Sequence, residues 1–109
     1  DAYIADPLCG FPASNGLWLQ LISAIKKGSS DQELAKIRND LPFNLVGGEA
    51  DPTSDNGKSM SRLAKRLVSS GVEDVSLTLL ANTRHETLNE INRDEATADF
   101  IQWLDTRFA

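Results

Sequence analysis

The chain has 109 residues, a length that suits one domain of ~100–150 residues or part of one. Its 40% hydrophobic and 25% charged content suits a folded globule and excludes a disordered tail. Lys and Arg total 11 against 16 Asp and Glu, and the resulting charge of −5 speaks against a nucleic-acid surface, which needs a concentrated basic face.

The first stretch, Asp1 to Asn15, carries Pro7, Gly10 and Pro12 without a regular period and reads as a mostly irregular arm. From Ser14 to Lys27, Leu17, Trp18, Leu21, Ile22 and Ile25 recur at spacings of three and four. That pattern predicts a helix with Ser14 as N-cap and Gly28 as stop. Ser29-Ser30-Asp31 starts a shorter helix with Leu34, Ala35 and Ile37 on its apolar side. Leu41-Pro42 breaks it, and Phe43-Asn44-Leu45-Val46 reads as a short buried strand. Gly47-Gly48 then opens a loop that runs to Asn56.

The next helix places Met60, Leu63, Ala64, Leu67 and Val68 on one face, and Lys58, Arg62, Lys65 and Arg66 elsewhere. Gly71 ends it, in the left-handed backbone region that favours glycine. Val75, Leu77 and Leu79 alternate with Ser76 and Thr78, which predicts a strand with one face more buried than the other. A loop carrying Arg84-His85-Glu86 follows. Asn92 with Glu95 makes a capping-box-like start to a last helix, whose Ala96, Phe100, Trp103, Leu104 and Phe108 are expected to face inward.

Phe43 to Leu80 thus reads as strand, loop, helix, strand. A helical crossover of this length implies a parallel pair with a right-handed connection. Parallel strands are normally buried on both faces inside a larger sheet, whereas two alone leave two open edges. The expected class is therefore α/β, with the remaining strands elsewhere.

Active groups of open α/β sheets gather beyond the carboxyl ends of the strands. One such end delivers Gly47-Gly48-Glu49-Ala50-Asp51-Pro52; the other delivers Ala81 to Glu86, including His85, the only histidine. A carboxylate bonded to one imidazole nitrogen fixes the tautomer and leaves the other nitrogen free to act as base. Taken alone, Asp51 also suits a turn cap, and a lone loop histidine also suits a surface role. Asp55, four residues further, competes as the acid but is equally placed to cap the following helix. Pro52 to Ser59 approaches a phosphate-binding loop, but Pro52 replaces its first glycine, and Glu49, Asp51 and Asp55 would repel phosphate.

Val46 to Pro52, the amphipathic helix, Val75 to Leu80 and Arg84 to Glu90 together resemble the C-terminal part of the α/β-hydrolases. The closest likeness is to bacterial serine hydrolases similar to lysophospholipases and monoacylglycerol lipases. The resemblance implies residues 1–40 as the end of a helical cap and the return to the sheet. It implies residues 41–109 as the C-terminal βαβα segment: the last two parallel strands, their crossover helix and the C-terminal helix. It also implies Asp51 as acid and His85 as base of a triad in the order nucleophile, acid, histidine. A lipid or other small-molecule ester is the implied substrate, the missing N-terminal part of the same hydrolase the implied partner, and no metal or organic cofactor is implied.

The sequence departs from that pattern in one large respect, because a Gly-x-Ser-x-Gly elbow is absent. Gly57-Lys58-Ser59-Met60-Ser61 comes nearest, but it ends in Ser and follows Asp51 in chain order. Acid and base without nucleophile or anion site cannot sustain acyl transfer, so these residues by themselves are expected to be inactive. Residue 1 is Asp, which accords with a processed product or a piece. The alternative is a small interaction module that pairs or dimerises through open sheet edges. Leu8, Phe11, Leu17, Trp18 and Leu21 would line an acyl pocket if they belong to a cap, with core packing the simpler expectation. Cys9, the single cysteine, forbids an internal disulfide and reads as a buried small hydrophobe. No apolar run nears the ~20 residues of a membrane span, and with no leader visible a cytoplasmic location is the default expectation.

Overall fold

The computed structural model describes residues 2–108. The arm is not wholly irregular, since Ala2–Ala5 forms a single helical turn, α1. Helix α2 spans Asn15–Gly28, with the Ser14 hydroxyl accepting the Leu17 amide as its N-cap. Gly28 is the last helical residue and Ser29 the C-cap. Helix α3, Asp31–Leu34, is capped by Ser30 and stops before Ala35 and Ile37, so only Leu34 of the expected apolar trio lies within it.

Strand β1 runs Phe43–Gly48, two residues further than the sequence suggests, because both glycines stay in the ladder. After a turn of 3-10 helix at Pro52–Ser54, helix α4 spans Lys58–Ser69 and strand β2 spans Val75–Leu80. The strands are parallel, in register from Phe43 opposite Val75 to Gly48 opposite Leu80. The α/β reading and its parallel pair hold.

Helix α4 covers one face of this pair. Its Leu67 is buried with Leu34 and Val72, and Ile37, Phe43, Leu45, Leu63 and Val75 pack around them. Arg66 ties this layer to the preceding segment, pairing with Asp31 at 2.7 Å and donating to the Ser29 carbonyl. Gly71 ends the α4 region at φ 105°, as expected of a glycine stop.

Helix α5, Arg93–Phe108, lies over the opposite face, where Asn44, Val46, Ser76, Thr78 and Leu80 meet its Ala96 and Trp103 across an open cleft of about 310 Å³. Only Ala96 of the five expected inward residues is buried; Phe100 and Phe108 are exposed. The far end of α5 is anchored by Arg107, whose guanidinium grips both Asp74 oxygens at 2.6 and 2.9 Å and lies 4.8 Å from the Trp103 ring centre. Hydrogen bonds from Arg107 hold the Asp74 carboxyl below its ordinary range, against the opposing effect of burial.

No residue of α2 is buried. Leu8, Phe11, Leu17, Trp18 and Leu21 are all exposed, so core packing does not describe them in this chain. Cys9 is only half-buried. No helix among the described residues is long and apolar enough to cross a membrane.

Candidate active site

The two strands end side by side, and the ladder continues past them. The Glu49 amide donates to the Leu80 carbonyl at 3.0 Å, and the Ala50 amide to the Thr83 carbonyl at 2.9 Å. Gly48 is required at this junction, because a Cβ there would run into the carbonyls of Thr83 and Arg84. Thr83 is fully buried, its hydroxyl bonded to the Ala81 carbonyl and to the Asn92 side chain. This use of Asn92 replaces the capping-box role expected of it. The amide group that would have capped α5 instead braces the loop leading to His85.

Asp51 follows directly from this junction. It is only 4% exposed, and its backbone carbonyl receives the Asn56 amide at 2.9 Å and the Ser54 hydroxyl at 3.2 Å. Its Oδ1 accepts the Thr53 amide at 2.9 Å and the Thr53 hydroxyl at 2.7 Å. Its Oδ2 lies 3.2 Å from His85 Nδ1, so residues 34 positions apart are brought into hydrogen-bond contact. The same ring nitrogen lies 2.9 Å from the Thr53 hydroxyl.

Burial acts to raise the Asp51 carboxyl. Hydrogen bonds from the Thr53 hydroxyl, from His85 and from the Thr53 amide outweigh it and hold the group far below the usual carboxylate range. Asp51 is therefore an anion at any pH where imidazole is neutral. The His85 side chain is 66% exposed, and among the described residues every hydrogen bond of the ring falls at Nδ1. His85 lines, with Asp51, Thr53, Arg84, Glu86 and Glu90, a solvent-open depression of about 360 Å³, and Nε2 makes no hydrogen bond to the described residues. An imidazole held at one nitrogen by a carboxylate and open at the other is the arrangement a general base needs.

The neighbouring candidates fall outside this contact. Asp55 is exposed and pairs with Lys58 at 3.5 Å and Arg62 at 3.8 Å. Arg84, itself exposed, pairs at 3.2 Å with Glu90, whose side chain is largely buried. Glu86 and Asn89 bond to each other. In the stretch that approaches a phosphate loop, Asp55 and Asn56 take left-handed backbone, with Gly57 beyond them at φ 81° as the α4 N-cap. Sequence reasoning missed Thr53, Thr83 and Asn92. The first had a signal, since Asp-x-Thr is a pattern that closes a side-chain-to-backbone turn.

The fold that carries this site has a counterpart among solved structures. A highly thermostable carboxyl esterase from Bacillus coagulans, crystallised with glycerol, is similar to this chain with a TM-score of 0.85 at 20% sequence identity. The match covers 94% of this chain and 34% of the esterase, so the chain spans about a third of that enzyme's length. At that identity the likeness establishes the fold alone: the class is that of the α/β-hydrolases, represented by a C-terminal portion of the fold. The family described as Serine aminopeptidase, S33 matches residues 1–92, and the chain belongs to that family. Comparison with curated proteins gives no match.

Proposed function

We propose that this chain supplies the acid and the histidine of a serine hydrolase acting on carboxylic esters of the lysophospholipid or monoacylglycerol kind. Residues 1–40 then belong to the end of a helical cap, and residues 41–109 to the C-terminal βαβα segment of the catalytic core. The nucleophilic serine and the oxyanion hole belong to a segment outside these 109 residues. The observation that carries this reading is the 3.2 Å contact between Asp51 Oδ2 and His85 Nδ1 at the carboxyl ends of adjacent parallel strands.

In this mechanism His85 Nε2 takes the serine hydroxyl proton as the serine oxygen bonds to the ester carbonyl carbon. The buried Asp51 anion stabilises the imidazolium so formed. Nε2 then returns the proton to the departing alkoxide as the ester bond breaks. A water molecule repeats the sequence on the acyl-enzyme and releases the acid.

The test is hydrolysis of a short-chain p-nitrophenyl ester by the complete protein and its His85→Ala and Asp51→Asn forms. Asp51→Asn presents the wrong hydrogen-bond partner to Nδ1, and kcat is expected to fall by about 10⁴-fold. Wild-type turnover in both variants would remove the assignment. An amino-acid p-nitroanilide assayed in parallel decides between ester and peptide chemistry. Hydrolysis of that amide alone would transfer the same two residues to an aminopeptidase.

A further inference from the structure

We infer that Thr53 is a positioning residue of this site, its hydroxyl acting as a second acceptor beside Asp51 to hold His85 in the tautomer that carries its proton on Nδ1. The inference rests on the reading of Asp51 and His85 as acid and base and adds a third group to it.

The Thr53 oxygen stands between the two partners, 2.7 Å from Asp51 Oδ1 and 2.9 Å from His85 Nδ1. It is closer to the ring nitrogen than Asp51 Oδ2, at 3.2 Å. A hydroxyl has one proton to give and two lone pairs to offer. Asp51 is an anion and can only accept, so the Thr53 proton is committed to Oδ1. What remains to face His85 is a lone pair. Nδ1 therefore meets two acceptors, Thr53 Oγ1 and Asp51 Oδ2, and both are satisfied only when Nδ1 bears the proton. The opposite rotation would give the Thr53 proton to an unprotonated Nδ1. It would leave Oδ1 without its hydroxyl donor and set the Oδ2 anion against a nitrogen lone pair.

The position of Thr53 is itself fixed. Its amide donates to Asp51 Oδ1 at 2.9 Å, and Pro52 begins the 3-10 turn that presents the hydroxyl to the carboxylate. The arrangement needs an oxygen on Cβ at residue 53, a requirement that serine meets and valine does not. Valine keeps the branched shape and loses only the hydrogen-bonding group.

The experiment is ¹⁵N NMR of the histidine rings in the complete protein, labelled at histidine, with the His85 signals identified by their loss in His85→Ala. At a pH where the His85 ring is neutral by its own spectrum, wild type and Thr53→Ser are expected to show Nδ1 protonated and Nε2 bare. Thr53→Val, which leaves Asp51 Oδ2 as the one acceptor at Nδ1, is expected to show a measurable share of rings protonated at Nε2. If half of the rings keep the productive form, kcat falls about twofold with KM unchanged, and Thr53→Ser restores it. Thr53→Val with an unaltered tautomer would overturn the inference, as would equal disturbance by serine and valine. These outcomes stand apart from the assignment of the pair. Full activity in His85→Ala would sink the catalytic reading, whereas the ring spectra alone decide what Thr53 does to His85.

Discussion

At the scale of single residues, the site depends on an absence as much as on side chains. Gly48 has no Cβ, and two carbonyls of the histidine loop occupy the space one would fill. Gly48→Ala is therefore expected to push the loop carrying His85 away from Asp51. The backbone resists such a shift on both sides, through the Ala50–Thr83 hydrogen bond and the buried Thr83–Asn92 pair. The substitution should cost about 1–3 kcal/mol of stability or more, as overpacking against fixed backbone does. The ester hydrolysis proposed for the complete protein should fall further than any loss of folded protein explains. Chemical denaturation alongside kcat/KM measures both; an unchanged midpoint with unchanged activity would show that the loops yield without cost. Asp51 and His85 were legible in the sequence because position relative to strand ends is a one-dimensional property. For Thr53 the Asp-x-Thr pattern signals only the turn onto Asp51; its contact with His85 is visible only once both partners have been placed in space.

Among elements, the dependable predictions were those with a strong period. Strand, helix and strand from Phe43 to Leu80 appeared nearly as read, because alternation in β2 and the apolar stripe of α4 each specify one geometry. The last helix was found in place but its inward face was misjudged. Periodicity says which residues share a side, not whether anything covers that side: Phe100 lines an open cleft and Phe108 is exposed. The strand–loop boundary also moved. Glycine weakens a strand by propensity, yet Gly47 and Gly48 complete a six-residue register against β2, Gly48 because the histidine loop approaches its backbone closely and Gly47 with Met60 of α4 packed over it. The packing of α4 is where the fold is concentrated, with Leu67 1% exposed against Leu34 and Val72. Leu67→Ala is expected to destabilise by about 3 kcal/mol, the usual cost of a truncated core leucine. A loss below about 1 kcal/mol, measured by denaturant titration, would mean that α4 is not the principal layer over the strands.

For the molecule as a whole, two strands and a handful of buried apolar residues carry a large uncovered surface. Ile4, Leu8 and Phe11 precede α2, and Leu19, Ile22 and Ile25 continue along it, all more than half exposed. Patches of that kind mark surfaces that other protein covers. The 109 residues alone are therefore expected to self-associate in sedimentation and to bind ANS with weak amide protection. A monodisperse, well-protected monomer would instead favour the interaction module with free sheet edges.

The amide of Ala50 and the carbonyl of Thr83 bring a different kind of order to the place where the two strands end. Because main chain joins main chain there, the two segments are coupled like the leaves of a hinge pinned shut. A displacement of one carries the other along with it. The spacing of the Asp51 carboxylate and the His85 imidazole is thereby set by main chain rather than by the side chains around it. Under the proposed roles of the two residues, those side chains can change while the distance between acid and base stays constant.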